Sequence, residues 1–96
     1  MYELKYLPGA ERYFKKIKEK GLKAAFRKAL EAIREDPYVG EAKTGDLAGV
    51  YGFDVFYNRT NHEIAYRIYE EDGQLVVVIL AGTRENFYQE LKRYLK

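Results

Sequence analysis

Residues 75–85 read Leu-Val-Val-Val-Ile-Leu-Ala-Gly-Thr-Arg-Glu, seven apolar residues in a row closed by a glycine, a hydroxyl and two opposite charges. A run of that length without alternation predicts a central strand covered on both faces. It falls well short of the roughly 18–20 apolar residues that span a bilayer. Beyond it, Thr83 can cap a last helix in which Phe87, Leu91 and Leu95 form an apolar stripe. The rest of the chain must then supply the neighbouring strands and a helical hairpin that covers their apolar face.

Working backwards, Glu71-Asp72-Gly73 is a hairpin turn, Asp-Gly being a strong type I′ signal. Before it, His62, Ile64, Tyr66 and Ile68 share one face of a strand, with Glu63, Ala65, Arg67 and Tyr69 on the other. A turn at residues 58–61 leads back to a third strand, in which Tyr51, Phe53, Val55 and Tyr57 alternate with Gly52, Asp54 and Phe56. Residues 38–48 show no period and read as a loop. Further back the period becomes helical: Ala10, Tyr13, Phe14 and Ile17 mark one helix, expected to stop at Gly21. Leu22, Ala25, Phe26, Ala29, Leu30 and Ile33 mark a second, ended near Asp36 because Pro37 disfavours helical geometry before it. Residues 2–7 form a short first strand closed by Pro8-Gly9. The expected fold is α+β in the order β-α-α-β-β-β-α: a helical hairpin on a mostly antiparallel four-stranded sheet, with a C-terminal helix, in a single domain spanning 1–96.

With 96 residues, 47% of them hydrophobic, the chain suits one folded core. It has no cysteine, which excludes disulfide, zinc-ribbon and thiol chemistry, and a single histidine makes an all-protein transition-metal site unexpected. Residues 1–9, MYELKYLPG, lack a signal-peptide layout, so a cytoplasmic location with no membrane role is expected. Net charge is only +2, but its distribution is uneven. Arg12 to Arg34 holds nine Lys/Arg, among them Lys15, Lys16 and Lys23, against two acids, while Glu35 to Gly73 holds nine acids against Lys43, Arg59 and Arg67. A basic block beside an acidic one suits a polyanion or an acidic protein partner, and equally a solvated helix surface.

The residues able to carry chemistry lie near the last two strands. Arg84 follows the central strand, and Tyr88 stands four positions on, on the same side of the expected helix. Arginine suits bidentate contact with a phosphate, and a tyrosine can stack on a base or supply a phenol. His62 alone has an unperturbed pKa near neutrality, yet it shares the face of Ile64, Tyr66 and Ile68, where a structural histidine is equally at home. Asp54 and Glu63 can serve as a base or form a cross-strand ion pair with Arg67.

The segments Leu47-Ala48-Gly49-Val50-Tyr51 and Glu63-Ile64-Ala65-Tyr66-Arg67-Ile68, and above all residues 75–85 with Tyr88, Leu91, Lys92 and Leu95, resemble the RelE/ParE toxin superfamily. The resemblance covers essentially the whole chain. It implies a type II toxin with a cognate antitoxin as partner and a toxin–antitoxin hetero-oligomer. In the RelE branch it further implies a ribosome-dependent mRNA endonuclease that needs no cofactor or metal. It assigns Arg84 to the substrate phosphate and Tyr88 to holding or stacking a base. RelE-like chains carry lysines at the positions of Asp54 and Phe56 and an arginine at that of Glu63, so an acid–base pair drawn from Asp54, His62 and Glu63 is the expectation here. Arg59, Arg67, Lys92, Lys15, Lys16 and Lys23 are the expected RNA contacts. Two alternatives stay open: a ParE-like inhibitor of DNA gyrase, and a non-catalytic module that docks on the ribosome or an antitoxin.

Overall fold

The computed structural model describes residues 1–95. Five strands and three helices follow in the order β1 (Glu3–Tyr6), α1 (Pro8–Lys16), α2 (Lys20–Glu35), β2 (Glu41–Ala42), β3 (Tyr51–Tyr57), β4 (Thr60–Tyr69), β5 (Leu75–Thr83) and α3 (Phe87–Tyr94). They form one sheet in the order β1-β5-β4-β3-β2, in which β1 runs parallel to β5 and the other pairs are antiparallel. The α+β class and the helical hairpin on the sheet are as expected. The sheet has five strands instead of four, because residues 38–48 contain the two-residue β2 between single 3-10 turns at Pro37–Val39 and Gly45–Leu47. Two residues are too few for any alternation to register in a sequence.

Each face of the sheet has its own core. On one side Phe26, Ala29 and Ile33 of α2 and Ala10 of α1 cover Val55, Ile64, Tyr66, Val76, Val78 and Ala81. On the other, Phe87 and Leu91 of α3 close over Val50, Ala65, Ile79 and Leu80. Strand β5 serves both layers through a bulge: Ala65 pairs with Leu80 but Tyr66 pairs with Val78, which leaves Ile79 as the extra residue. The bulge puts Ile79 and Leu80 consecutively against α3 and returns Ala81 to the opposite core. Without it the alternation of a nine-residue strand would aim one of the two into the wrong layer.

Two boundaries differ from expectation. Helix α1 ends at Lys16, and the break is the extended stretch Ile17-Lys18-Glu19, so Gly21 lies in the first turn of α2 rather than closing α1. Its missing side chain answers a packing need, since a Cβ there would collide with the Tyr57 hydroxyl. Thr83 remains in β5, and α3 is preceded by Asn86 in left-handed conformation, φ 60°, so Arg84 sits in a turn ahead of the helix and not in its first turn.

Tyr66 ties the hairpin layer to the sheet. Its ring stacks on Tyr51 at 5.8 Å, and its hydroxyl donates to the carbonyl of buried Pro37 at 2.6 Å. A buried carbonyl deprived of its donor retains its desolvation cost. Tyr66→Phe is therefore expected to lower unfolding free energy by about 1–3 kcal/mol, read as a shift of the urea midpoint with an unchanged slope.

Candidate active site

The polar residues that alternate with the hairpin-side core converge on the face covered by α3. Register sets Asp54 of β3 opposite Glu63 of β4, and Glu63 opposite Gly82 of β5. Two carboxylates directly across a sheet repel. Arg84 relieves this by standing over both, with Nη1 3.4 Å from Asp54 Oδ1 and Nε 3.8 Å from Glu63 Oε1. The turn that carries it is tied to the hairpin by its own amide, which donates to the Asn61 carbonyl at 3.0 Å.

Glu63 is the centre of the group and is 1% exposed. Its Oε2 accepts the Tyr88 phenol from α3 and lies 3.4 Å from the Lys43 ammonium, while Oε1 has no hydrogen-bond partner among the described residues. A buried carboxylate persists only when paired, and here two cations and one phenol surround it. Lys43 reaches inward from the end of β2, held by its amide donating to the Val50 carbonyl at 2.9 Å. Its ammonium donates to Glu41 at 2.7 Å and stands 4.9 Å over the Tyr88 ring. The space these groups occupy exists because residue 52 is glycine: a Cβ there would collide with Glu63 Oε2 and stand 2.8 Å from Lys43 Cε.

The titrations follow from this packing. Burial alone would favour neutral Lys43, but its bonds to Glu41 and Tyr88 and the charge of Glu63 outweigh that and hold its pKa above the ordinary lysine value. Lys43 is thus a fixed cation. Burial, together with the bond to Glu63, raises the Tyr88 phenol despite the opposing charge of Lys43, so it keeps its proton at neutral pH.

Asp54, Glu63, Arg84 and Tyr88 therefore come together, and His62 does not join them. Being next to Glu63 on a strand, it faces the other layer. There it is 4% exposed, its ring lies edge-on to Phe26 at 5.5 Å and its Nδ1 is 3.2 Å from the Val55 carbonyl. A His62–Glu63 pair acting on one substrate is excluded by that geometry. Lys43 is the member that sequence reasoning missed, since it lies in the segment read as loop. The available clue was Gly52, because a glycine inside a strand marks a close approach of neighbours. The expected RNA contacts are spread out. Arg67 continues the Glu63 face beside Gly49, Arg59 is at the β3–β4 turn, and Lys92 pairs with Asp46 at 3.3 Å. Lys16 lines, with Arg12, a cleft between α1 and α3 that reaches Thr83, whereas Lys15 and Lys23 border separate hollows on the helical side. Among the described residues no three His, Asp or Glu groups converge as a metal site would require, and no helix is long and apolar enough to cross a membrane.

This arrangement can be set against known proteins. Residues 4–92 match the family model of the ParE-like toxin of type II bacterial toxin–antitoxin systems. The chain belongs to that family. Among solved structures it is similar to a chain of the RelBE2 toxin–antitoxin complex of Mycobacterium tuberculosis, with 25% identity and a TM-score of 0.67 over 86% of this chain and 98% of that one. Two structures share the fold at lower identity. One is a mutant of Escherichia coli toxin RelE in the free state, at 18% identity and TM-score 0.72, covering 97% of this chain and 92% of that chain. The other is the intact E. coli RelBE complex, at 20% identity and TM-score 0.68, covering 85% of this chain and 95% of that chain. Comparison with curated protein sequences finds no match.

Two measurements probe the toxin's cluster. Gly52→Ala forces a methyl group between Glu63 and Lys43 and is expected to cost about 1–3 kcal/mol of stability, as overpacking does, measured by urea unfolding. Raised pKa values in the folded state also mean that the stability contributed by Tyr88 and Lys43 is complete below their unfolded values and lost as pH rises past about 10. The melting temperature is expected to fall above that pH, and to fall less steeply in Tyr88→Phe.

Proposed function

We propose that this toxin is an endoribonuclease that cleaves mRNA on the ribosome, inhibits translation in the cytoplasm and is neutralised by a cognate antitoxin. The observation that carries this reading is Arg84, half-exposed and aimed across the exposed carboxylate of Asp54, with the protonated Tyr88 phenol and the Lys43 cation gathered on the buried Glu63 beside it.

The chemistry uses the RNA's own 2′-hydroxyl. Asp54 accepts its proton as the 2′-oxygen bonds to phosphorus, the bond to the 5′-oxygen breaks, and Tyr88 supplies the proton that the departing oxygen needs. The products are a 2′,3′-cyclic phosphate and a 5′-hydroxyl. Arg84 neutralises charge on the phosphorane with Lys43 as a second cation, and Glu63 acts as a positioning residue that holds Lys43, Tyr88 and Arg84 in place. The ribosome lowers the entropic part of the barrier by presenting the mRNA. Lys16 and Arg12 line the cleft that ends at Thr83, the residue before Arg84, and Arg59 and Arg67 offer separate cations at the β3–β4 turn and on the Glu63 face. An antitoxin partner is supported by the RelBE complexes among the similar structures. The broad trough between β1, α1 and α2 offers it an apolar floor of Leu4, Tyr6, Phe14 and Leu30 beside a sheet edge with free backbone groups.

A second reading, inhibition of DNA gyrase, draws on the ParE-like description of the family model and on Asp54 and Phe56 standing where RelE-like chains have lysines. One experiment separates the readings. Inducible expression of wild type and Arg84→Ala, with primer extension on translated mRNA, is expected to show cuts in frame with codons that fall by roughly 100- to 1,000-fold in the variant. Growth arrest with intact mRNA selects the gyrase reading, and no arrest selects a binding module.

A further inference from the structure

The resemblance gave Tyr88 the task of holding or stacking a base, but the structure leaves that ring little room to stack. The Lys43 ammonium covers one face at 4.9 Å, Phe87 stands perpendicular to the ring at 5.5 Å, and the hydroxyl end is anchored on Glu63. A nuclease that must hold a nucleotide against Arg84 needs another flat apolar surface.

Phe56 supplies one. It is 71% exposed, the most open aromatic side chain among the described residues. Strand alternation places it on the face of Asp54, one position further toward the β3–β4 turn, with Asn61 as its cross-strand partner. Asn61 also holds Arg84 through its carbonyl, so the phosphate-binding arginine and the phenylalanine are referenced to the same residue of β4. The turn beyond is a two-residue connection in which Asn58 and Arg59 both have positive φ, 50° and 64°. That tight geometry follows strand twist and keeps the hairpin end in register. Arg59 stands there as a cation for the neighbouring backbone phosphate. A lone exposed apolar residue is ordinary on a surface. This one stands on the site's own face, two residues along β3 from Asp54, with Arg84 tied to its cross-strand partner and Arg59 in the turn beyond.

Resting on the nuclease reading, we infer that Phe56 is the base-stacking platform of this toxin, holding an unpaired base of the RNA next to the phosphate at Arg84. Stacking tolerates any base because each has a π-face, so Phe56 adds affinity and alignment with little sequence preference.

The chain contains no tryptophan, so Phe56→Trp places a single tryptophan at the platform, excited selectively over the ten tyrosines at the red edge of its absorption. Its emission is to be followed on adding a short single-stranded 2′-O-methyl RNA, which cannot be cleaved, with inorganic polyphosphate as a charged control without bases. Saturable quenching by the RNA and none by polyphosphate is the expected result. Emission unchanged at high RNA concentration, or changed by the antitoxin alone, overturns the inference. On programmed ribosomes, Phe56→Tyr and Phe56→Trp are expected to keep most of the wild-type kcat/KM, and Phe56→Leu and Phe56→Ala to lose roughly five- to 150-fold. Leu at the wild-type rate also overturns it. If the wild type leaves mRNA intact on ribosomes, the nuclease reading fails, and the emission of the Trp variant alone decides whether Phe56 stacks on RNA.

Discussion

A carboxylate cut off from water must find its solvation in the protein, and in this fold Glu63 imposes that demand on four elements at once. Strand β3 contributes the absence of a side chain at Gly52, β2 delivers Lys43, the turn after β5 delivers Arg84, and α3 delivers the Tyr88 hydroxyl. Each is held there by backbone contacts of its own, so the site is a junction of the sheet's far edge, its centre and the last helix. The mutual repulsion of Asp54 and Glu63 across the ladder is absorbed by the same arginine that the proposed chemistry uses.

That organisation explains which parts were legible in the sequence. An unbroken apolar run showed β5, and periodicity showed α1, α2, β3, β4 and α3, because burial on one face leaves a 3.6- or two-residue signature in any long enough segment. It also put Asp54 and Glu63 on the face away from the hairpin, and His62 among the core residues, where the structure has it. The rest was hidden by scale. A two-residue strand has no period, so Lys43 went unseen, and Gly21 looked like a stop signal although its role is to admit the Tyr57 hydroxyl. Thr83 is a good capping residue by type, but β5 continues through it because its partner His62 is still paired there.

The bulge at Ile79 shows a different limit. A run of seven apolar residues announces a strand buried on both faces without saying which residue faces which layer. Only the pairing with Ala65 and Tyr66 reveals that two consecutive residues turn toward α3, which gives the last helix enough apolar surface to dock with a single buried stripe of Phe87 and Leu91.

The parallel pairing of β1 with β5 carries a consequence for the making of the protein. Glu3 meets Leu75 and Tyr6 meets Val78, so β1 stays without its partner until β5, some seventy residues later, has been translated. Long-range pairing of this kind is slow and cannot begin early. Arg84, Tyr88 and the Phe87 and Leu91 that complete the second core leave the ribosome later still. A growing chain therefore has neither a finished sheet nor an assembled site until residues 75–91 have been made, and topology alone makes the toxin's site one of the last features of this fold to form.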